Sequence, residues 1–401
     1  MLVFGGIALV TGLVIGQLEL VGIGVLLTTV PLLSALTVIG SVDRIVHSRT
    51  VQPSRVPAGH DARVMVRVGN SSTTWPVAAV FVEDALPVPL GAEPRYFVGY
   101  LGPRAVRDVT YLVRPAVRGR YTVGPLRVSV SDPLGCVRVT RSVGAPSSLL
   151  VTPRTVPLWE SGGTDGSQGE ESPRRSIIGV GEQDPVPREY QHGDELRRVH
   201  WRSTAKRGEL MVRRDEQHRR EHSAILLDAR AAAHLGQGQH SSLETAVGVA
   251  ASVAVHLIYR RHDLRLHTEC GRVQSSTVSG VLDGLAVTEP SDASGLQGGI
   301  RALASMRNSS PSLVVAILGA VRPEEATALS RVGGRSTRIA VLCARAAWPS
   351  TESLRGTVEL LTATGWRVLT VSDPTELSHL WKRTSTSQLA SAGPRLPRES
   401  L

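Results

Sequence analysis

Two apolar runs at the start of the chain restrict its folding more than any other feature. Leu2 to Gly16 is apolar, Gln17-Leu18-Glu19 interrupts, and Leu20 to Val42 is apolar again with only Ser, Thr and one Pro as relief. The second run, about 20 residues, suffices for a helix to cross a hydrocarbon core of ~30 Å. The first is short for a span; it would either extend from a start codon further upstream, or tilt and thin the bilayer locally. A cleavable signal peptide needs a basic leading region, which is absent; a soluble core hairpin is the other alternative. The expectation is a two-span transmembrane hairpin over residues 1–45, with Glu19 at a tight outer turn. Arg44, Arg49 and Arg55 follow the second run, so the positive-inside rule puts the soluble body in the cytoplasm of a multi-pass plasma-membrane protein.

Past the hairpin the hydrophobic period becomes two. Ala62 to Val68 alternates, Gly69 to Ser72 turns the chain, and short strands are predicted at 77–83, 107–114, 121–123, 126–130 and 137–141. Arg118-Gly-Arg-Tyr121 and Asp132-Pro-Leu-Gly135 are turn signals, because Pro presets φ and Gly admits positive φ. Residues 50–155 therefore read as an all-β sandwich that holds or presents. Residues 156–185, rich in Gly, Ser, Glu and Arg, read as a flexible linker.

The densest polar segment is 186–222, around PREYQHGDELRRVHWRSTAKRGELMVRRDE. Asp194 is placed to cap a helix starting at Glu195, and Gly208 to end it. Leu196, Val199 and His200 share one face and Trp201 the other, which predicts a helix clasped on both sides, followed by an edge strand from Glu209 to Arg214. Arg188, Glu189, Tyr190, Gly193, Asp194, Arg197, His200 and Trp201 are the candidate interaction or structural residues, read as an ionic network. A hydrolase using Asp194 and His200 is the rival, but Ser203 three residues from His200 is a poor triad and no metal ligand set accompanies it.

The formal charge of +10, with Arg far above Lys, fits an anionic membrane surface, a nucleic acid, or codon bias alone. A basic nucleic-acid-binding protein is a further alternative, disfavoured because the run 213–220 has no interleaved aromatic residue. Cys136, Cys270 and Cys343 form no CxxC pair, which argues against a disulfide framework or zinc site and for a reducing compartment.

The pattern REYxxGDxxRxxHWxxTAKxGxLMV resembles the signature of the bacterial family known as domain of unknown function 58. The membrane hairpin, the RGRYxxGP and DPLG turns, and the α/β segment that follows fit that layout too. The resemblance implies a von Willebrand factor type A-like domain. It also implies a MoxR-type AAA+ ATPase as partner, with a transglutaminase-like membrane protein as a second.

From residue 223 to 383, apolar strands alternate with helices, as in a parallel sheet covered on both faces. The tail 384–401 reads as disordered. Metal-binding type A domains carry DxSxS at the first strand's end, but this chain has Asp228-Ala-Arg230-Ala-Ala232. No metal or cofactor is expected. Either Arg230 pairs with Asp228 where the cation would sit, or it points to solvent. The sum is a non-enzymatic, membrane-anchored adaptor that acts through protein–protein contact.

Overall fold

The computed structural model describes residues 1–132, 134–158, 187–190, 199, 201–213, 221–273, 276–306, 311–332, 334 and 336–382. The chain divides into two compact units, residues 160–221 and the remainder.

The larger unit opens with a pair of apolar helices, α1 (Leu2–Ile15) and α2 (Leu18–Ile39). Glycines make their contact. A Cβ on Gly24 would stand 2.5 Å from the Leu9 amide nitrogen, and one on Gly12 2.7 Å from that of Val21. Small residues at these places let the backbones approach. The large side chains turn outward: Phe4, Val10, Leu13, Leu26, Leu33 and Leu36 are all exposed. α2 is long and apolar enough to cross a membrane, while α1 is shorter. At 14 residues α1 is about 21 Å long.

The period-two segment supplies ten strands. They are β1 (Ile45–Gln52), β2 (Arg55–Pro57), β3 (Ala62–Asn70), β4 (Val77–Asp84), β5 (Arg95–Leu101), β6 (Val106–Val113), β7 (Gly119–Val123), β8 (Leu126–Ser131), β9 (Arg138–Val143) and β10 (Ser147–Thr152). Three sheets, ordered β1-β3-β6, β2-β10-β7 and β5-β4-β8-β9, enclose one apolar core. β3 shows why: Ala62, Val64, Val66 and Val68 are buried while Arg63 and Arg67 face water.

Two of the three arginines assigned to the membrane flank have other partners. The Arg49 side chain is 3% exposed and holds Asp84 through bonds of 2.6 and 3.0 Å. The Tyr111 hydroxyl donates to the same carboxylate at 2.6 Å. Burial first, then that bond, push the Tyr111 phenol above its ordinary value. Arg55 pairs with Asp283 in the α/β part. Among the described residues, only Arg44 of the three lacks a carboxylate partner.

The smaller unit contains β11 (Pro187–Glu189), α3 (Trp201–Arg207) and β12 (Met211–Arg213), with β11 and β12 paired antiparallel. The α/β part of the larger unit has one sheet. Its strands are β13 (His222–Leu227), β14 (Asp263–Thr268), β15 (Arg272–Val273), β16 (Leu313–Leu318), β17 (Thr337–Cys343) and β18 (Arg367–Val371). Their order is β15-β14-β13-β16-β17-β18. All neighbours are parallel except β14 and β15, so the sheet is mixed, not wholly parallel as expected. Among the described residues its α-helices are, in chain order, α4 (Ser242–Tyr259), α5 (Val278–Ala286), α6 (Gln297–Ser305), α7 (Pro323–Ser330) and α8 (Thr351–Ala363). β13 serves both faces: Ile225 and Leu227 pack with α4 and α5, Ala224 and Leu226 with α6, α7 and α8. α4 is as apolar as a membrane span, but it is a buried core helix here.

The expected linker starts later than residue 156. Leu158 lies in the α4-side core, and the Val156 amide donates to Ser252 Oγ at 2.9 Å. The rest of the linker and the tail lie outside the described residues. Gly119 to Tyr121, expected as part of a turn, begin β7 instead. The β-rich and α/β parts are fastened by Arg118, the residue just before that strand. It donates to the carbonyls of Leu285 (2.9 Å) and Thr288 (2.6 Å) at the end of α5, and pairs with Glu244 of α4. Free carbonyls at a helix C-terminus attract a cation, which explains the choice of arginine.

Candidate functional site

Ligands of doubly wound sheets bind beyond the strands' carboxyl ends, where the strand order reverses. Here that place lies between β13 and β16. Asp228 extends β13, its amide donating to the Ile317 carbonyl at 2.9 Å, and its side chain is wholly buried. Arg230 stands two residues on and is 4% exposed. Its Nε and Nη2 donate to the two Asp228 oxygens, both at 2.8 Å. Nη1 reaches Glu325 at 3.0 and 3.2 Å, and Nη2 also reaches the Ala320 carbonyl at 3.2 Å. The guanidinium thus lies between two buried carboxylates, and it does not point to solvent.

Glu325 belongs to the first turn of α7 and was not expected. Its carboxylate accepts the amides of Leu296 and Arg322, each at 3.0 Å, and a bond from the Arg322 side chain. Burial pushes the Glu325 carboxyl up, but the bonds from Arg322 and Leu296 and the Arg230 charge outweigh it and hold it below the usual range. Burial would likewise lower the Arg230 guanidinium, and its bonds to Asp228 with the Glu325 charge reverse that. Two carboxylates and two guanidiniums balance.

A polar rim surrounds the cluster. His234 Nε2 lies 2.8 Å from the Asp228 carbonyl, which can only accept, so Nε2 carries the proton. Its Nδ1 faces Ser242 Oγ at 3.0 Å, and burial holds the ring below the ordinary histidine value. Glu269 accepts the Ala229 amide at 2.9 Å and the Ser291 hydroxyl. Among the described residues no group of three or more His, Cys, Asp or Glu side chains is arranged to hold a metal. A divalent ion at Asp228 would have to displace Arg230.

The motif segment is a separate matter. Arg188 and Glu189 lie in β11, opposite Val212 and Met211. The Tyr190 amide extends the ladder to the Leu210 carbonyl at 2.8 Å. Gly193, Asp194, Arg197 and His200 lie outside the described residues. Val199 forms a β-bridge, so the helix that is described begins at Trp201, not Glu195. Gly208, at φ 79°, closes it as expected. The Met211 amide donates to Thr204 Oγ1 at 3.0 Å, joining helix to strand. α3 itself buries no residue and Trp201 is 70% exposed, while Leu196 and His200 of the expected clasped helix lie outside the described residues.

Residues 187–375 match the family model described as "Protein of unknown function DUF58". No curated protein matches the chain. Solved structures resemble limited parts of it. The CARDB domain of the PF1109 protein from Pyrococcus furiosus, solved in complex with di-metal ions, is 18% identical over 27% of this chain and 91% of its own, with a TM-score of 0.20. Spo0M, a sporulation control protein from Bacillus subtilis, is 10% identical over 27% of this chain and 49% of its own, with a TM-score of 0.17. The alkylpurine DNA glycosylase AlkC from Pseudomonas fluorescens, solved bound to DNA, is 14% identical over 33% and 38%, with a TM-score of 0.19. Overlaps this limited carry no argument about the present chain.

Proposed function

We propose that this chain, which belongs to the DUF58 family through residues 187–375, is a membrane-anchored adaptor without catalytic activity of its own. One observation carries the reading: at the sheet position where a doubly wound domain would hold its ligand, the Arg230 guanidinium is already bound by Asp228 and Glu325. An internal cation there serves rigidity, and recognition passes to the surface. The strand order, with its first strand central and one antiparallel edge, supports a von Willebrand factor type A-like domain whose cation is supplied by the chain itself.

The hairpin is the anchor. A helix apolar on all sides must be surrounded by apolar material, and α1 and α2 give each other mainly glycine. On this reading the β-rich sandwich is a spacer in the cytoplasm. Exposed Trp201, at the start of a helix whose last turn carries basic Lys206 and Arg207, is a contact residue for a partner. The partner is an AAA+ ATPase of the MoxR type, with a transglutaminase-like membrane protein in the same assembly and no nucleic acid involved.

The test is co-purification of the detergent-solubilised full chain with a MoxR-type ATPase from the same organism. The expected result is capture by the wild type and loss in Trp201→Ala at unchanged melting temperature. Equal capture by both, or turnover of a substrate by the purified chain, would contradict the adaptor.

A further inference from the structure

Where α2 ends, a cleft of about 510 Å³ opens between the helix and the β-rich part. Leu36, Val38, Ser41, Arg44, Trp75 and Pro76 are among its lining residues. One wall is apolar and continues the outward face of α2, where Leu32 and Leu36 lie one turn apart and are 59% and 76% exposed. The other wall ends in Arg44, whose guanidinium carbon stands 5.8 Å from the centre of the exposed Trp75 ring.

Both residues are held in place through their backbones. The Ser71 amide and hydroxyl donate to the Arg44 carbonyl at 2.7 and 2.8 Å. The Trp75 amide donates to Ser72 Oγ at 2.9 Å, and Asn70 Nδ2 to the Trp75 carbonyl at 2.8 Å. The negative groups nearby are otherwise engaged. Asp132 accepts the amides of Leu134 (3.0 Å) and Val137 (2.6 Å) and the Ser34 hydroxyl, and Asp43 pairs with Arg141. Among the described residues Arg44, held through its backbone, is therefore a cation without a carboxylate partner that stands against an aromatic face, at the point where an apolar helix gives way to a polar body.

We infer that this cleft binds one anionic phospholipid, its phosphate on Arg44, its glycerol region beside Trp75, and an acyl chain along Leu36 and Leu32. The inference rests on the membrane-anchored reading of α1 and α2. Charge complementarity selects the headgroup, because a planar guanidinium suits phosphate oxygens. Amphipathic tryptophan belongs at headgroup depth. A soluble anion would leave the leucine wall bare, and an apolar peptide would leave Arg44 unpaired, so the occupant needs both parts.

The experiment uses the full chain in nanodiscs of mixed phosphatidylglycerol and phosphatidylcholine, with retained lipid measured by native mass spectrometry. Wild type should retain phosphatidylglycerol in preference. Arg44→Gln should weaken that preference roughly fivefold. Arg63→Gln, which removes an equal charge from the exposed face of β3, should leave it unchanged. Equal retention of both lipids, or equal effects of the two variants, overturns the site. Alkaline extraction of native membranes separates the two levels. A chain that stays in the pellet but shows no lipid preference removes the lipid site alone. A chain released to the supernatant removes the anchor and the site together.

Discussion

Replacing Arg230 with Met keeps the side chain's reach and removes its charge: Glu325 keeps Arg322, but the buried Asp228 loses the guanidinium that binds both its oxygens. Both carboxylates are at most 1% exposed. Breaking a buried pair on one side costs about 3–5 kcal/mol, because a charge stays behind without compensation. For a domain of this size, 1 kcal/mol shifts the melting temperature by about 2–4 °C, so the expected fall is roughly 6–20 °C. The sign of the pH dependence also follows. In the wild type Glu325 is held below its unfolded value, so its contribution is present above the unfolded carboxylate pKa and is lost as pH falls through the folded one. In Arg230→Met the burial that pushes the Glu325 carboxyl up loses one of the charges opposing it, so the penalty is greatest at neutral pH and shrinks on acidification. Adding Asp228→Asn should restore part of the loss, since one buried charge goes with it. The assay is calorimetry of the solubilised chain from pH 7 to pH 5. A fall under 2 °C, or a deficit that grows on acidification, would refute the claim that the guanidinium neutralises this cluster.

Four further outcomes are expected. Millimolar Mg²⁺ should leave the wild-type melting temperature unchanged, and a rise of several degrees would contradict the occupied position at Asp228. The raised Tyr111 phenol contributes stability that is present below its unfolded pKa of about 10 and lost as pH rises toward the folded value; alkaline denaturation curves should lose that limb in Tyr111→Phe. Arg118→Ala strands the carbonyls at the end of α5 and should cost about 2–3 kcal/mol, with hydrogen exchange faster in α5 than in α7. Gly24→Val should drive α1 and α2 apart, because its Cβ would meet the Leu9 backbone at 2.5 Å; cross-linking of cysteines introduced across the pair should fall.

What the residues disclosed in advance depended on how local the determining physics is. β3 could be placed because alternating Val and Arg is a pattern within one strand. β5 was missed because Arg95–Leu101 has only Leu101 buried, so alternation barely marks it. α5 is hard to read from the sequence because Gly280 and Gly284 lower its propensity; at Gly284 a Cβ would sit 2.5 Å from Val273. The Asp228–Arg230 contact is two residues long and could be posed as a question. Glu325 was invisible, since a glutamate in a first helical turn reads as ordinary capping. One signal did exist: a guanidinium has five donors and a single carboxylate cannot use them all, so a buried Arg230 required a second acceptor. Arg118 read as turn chemistry because its partners lie 126 to 170 residues away.

Residues 40–44 are all that separates α2 from β1, and a short helical turn occupies most of them. Arg118 then locks the β layer to α4 and α5. On the anchored reading proposed above, the five residues 40–44 and the Arg118 contacts together set how far the Asp228 edge stands from the hairpin, and a partner of that edge has to reach across the same distance.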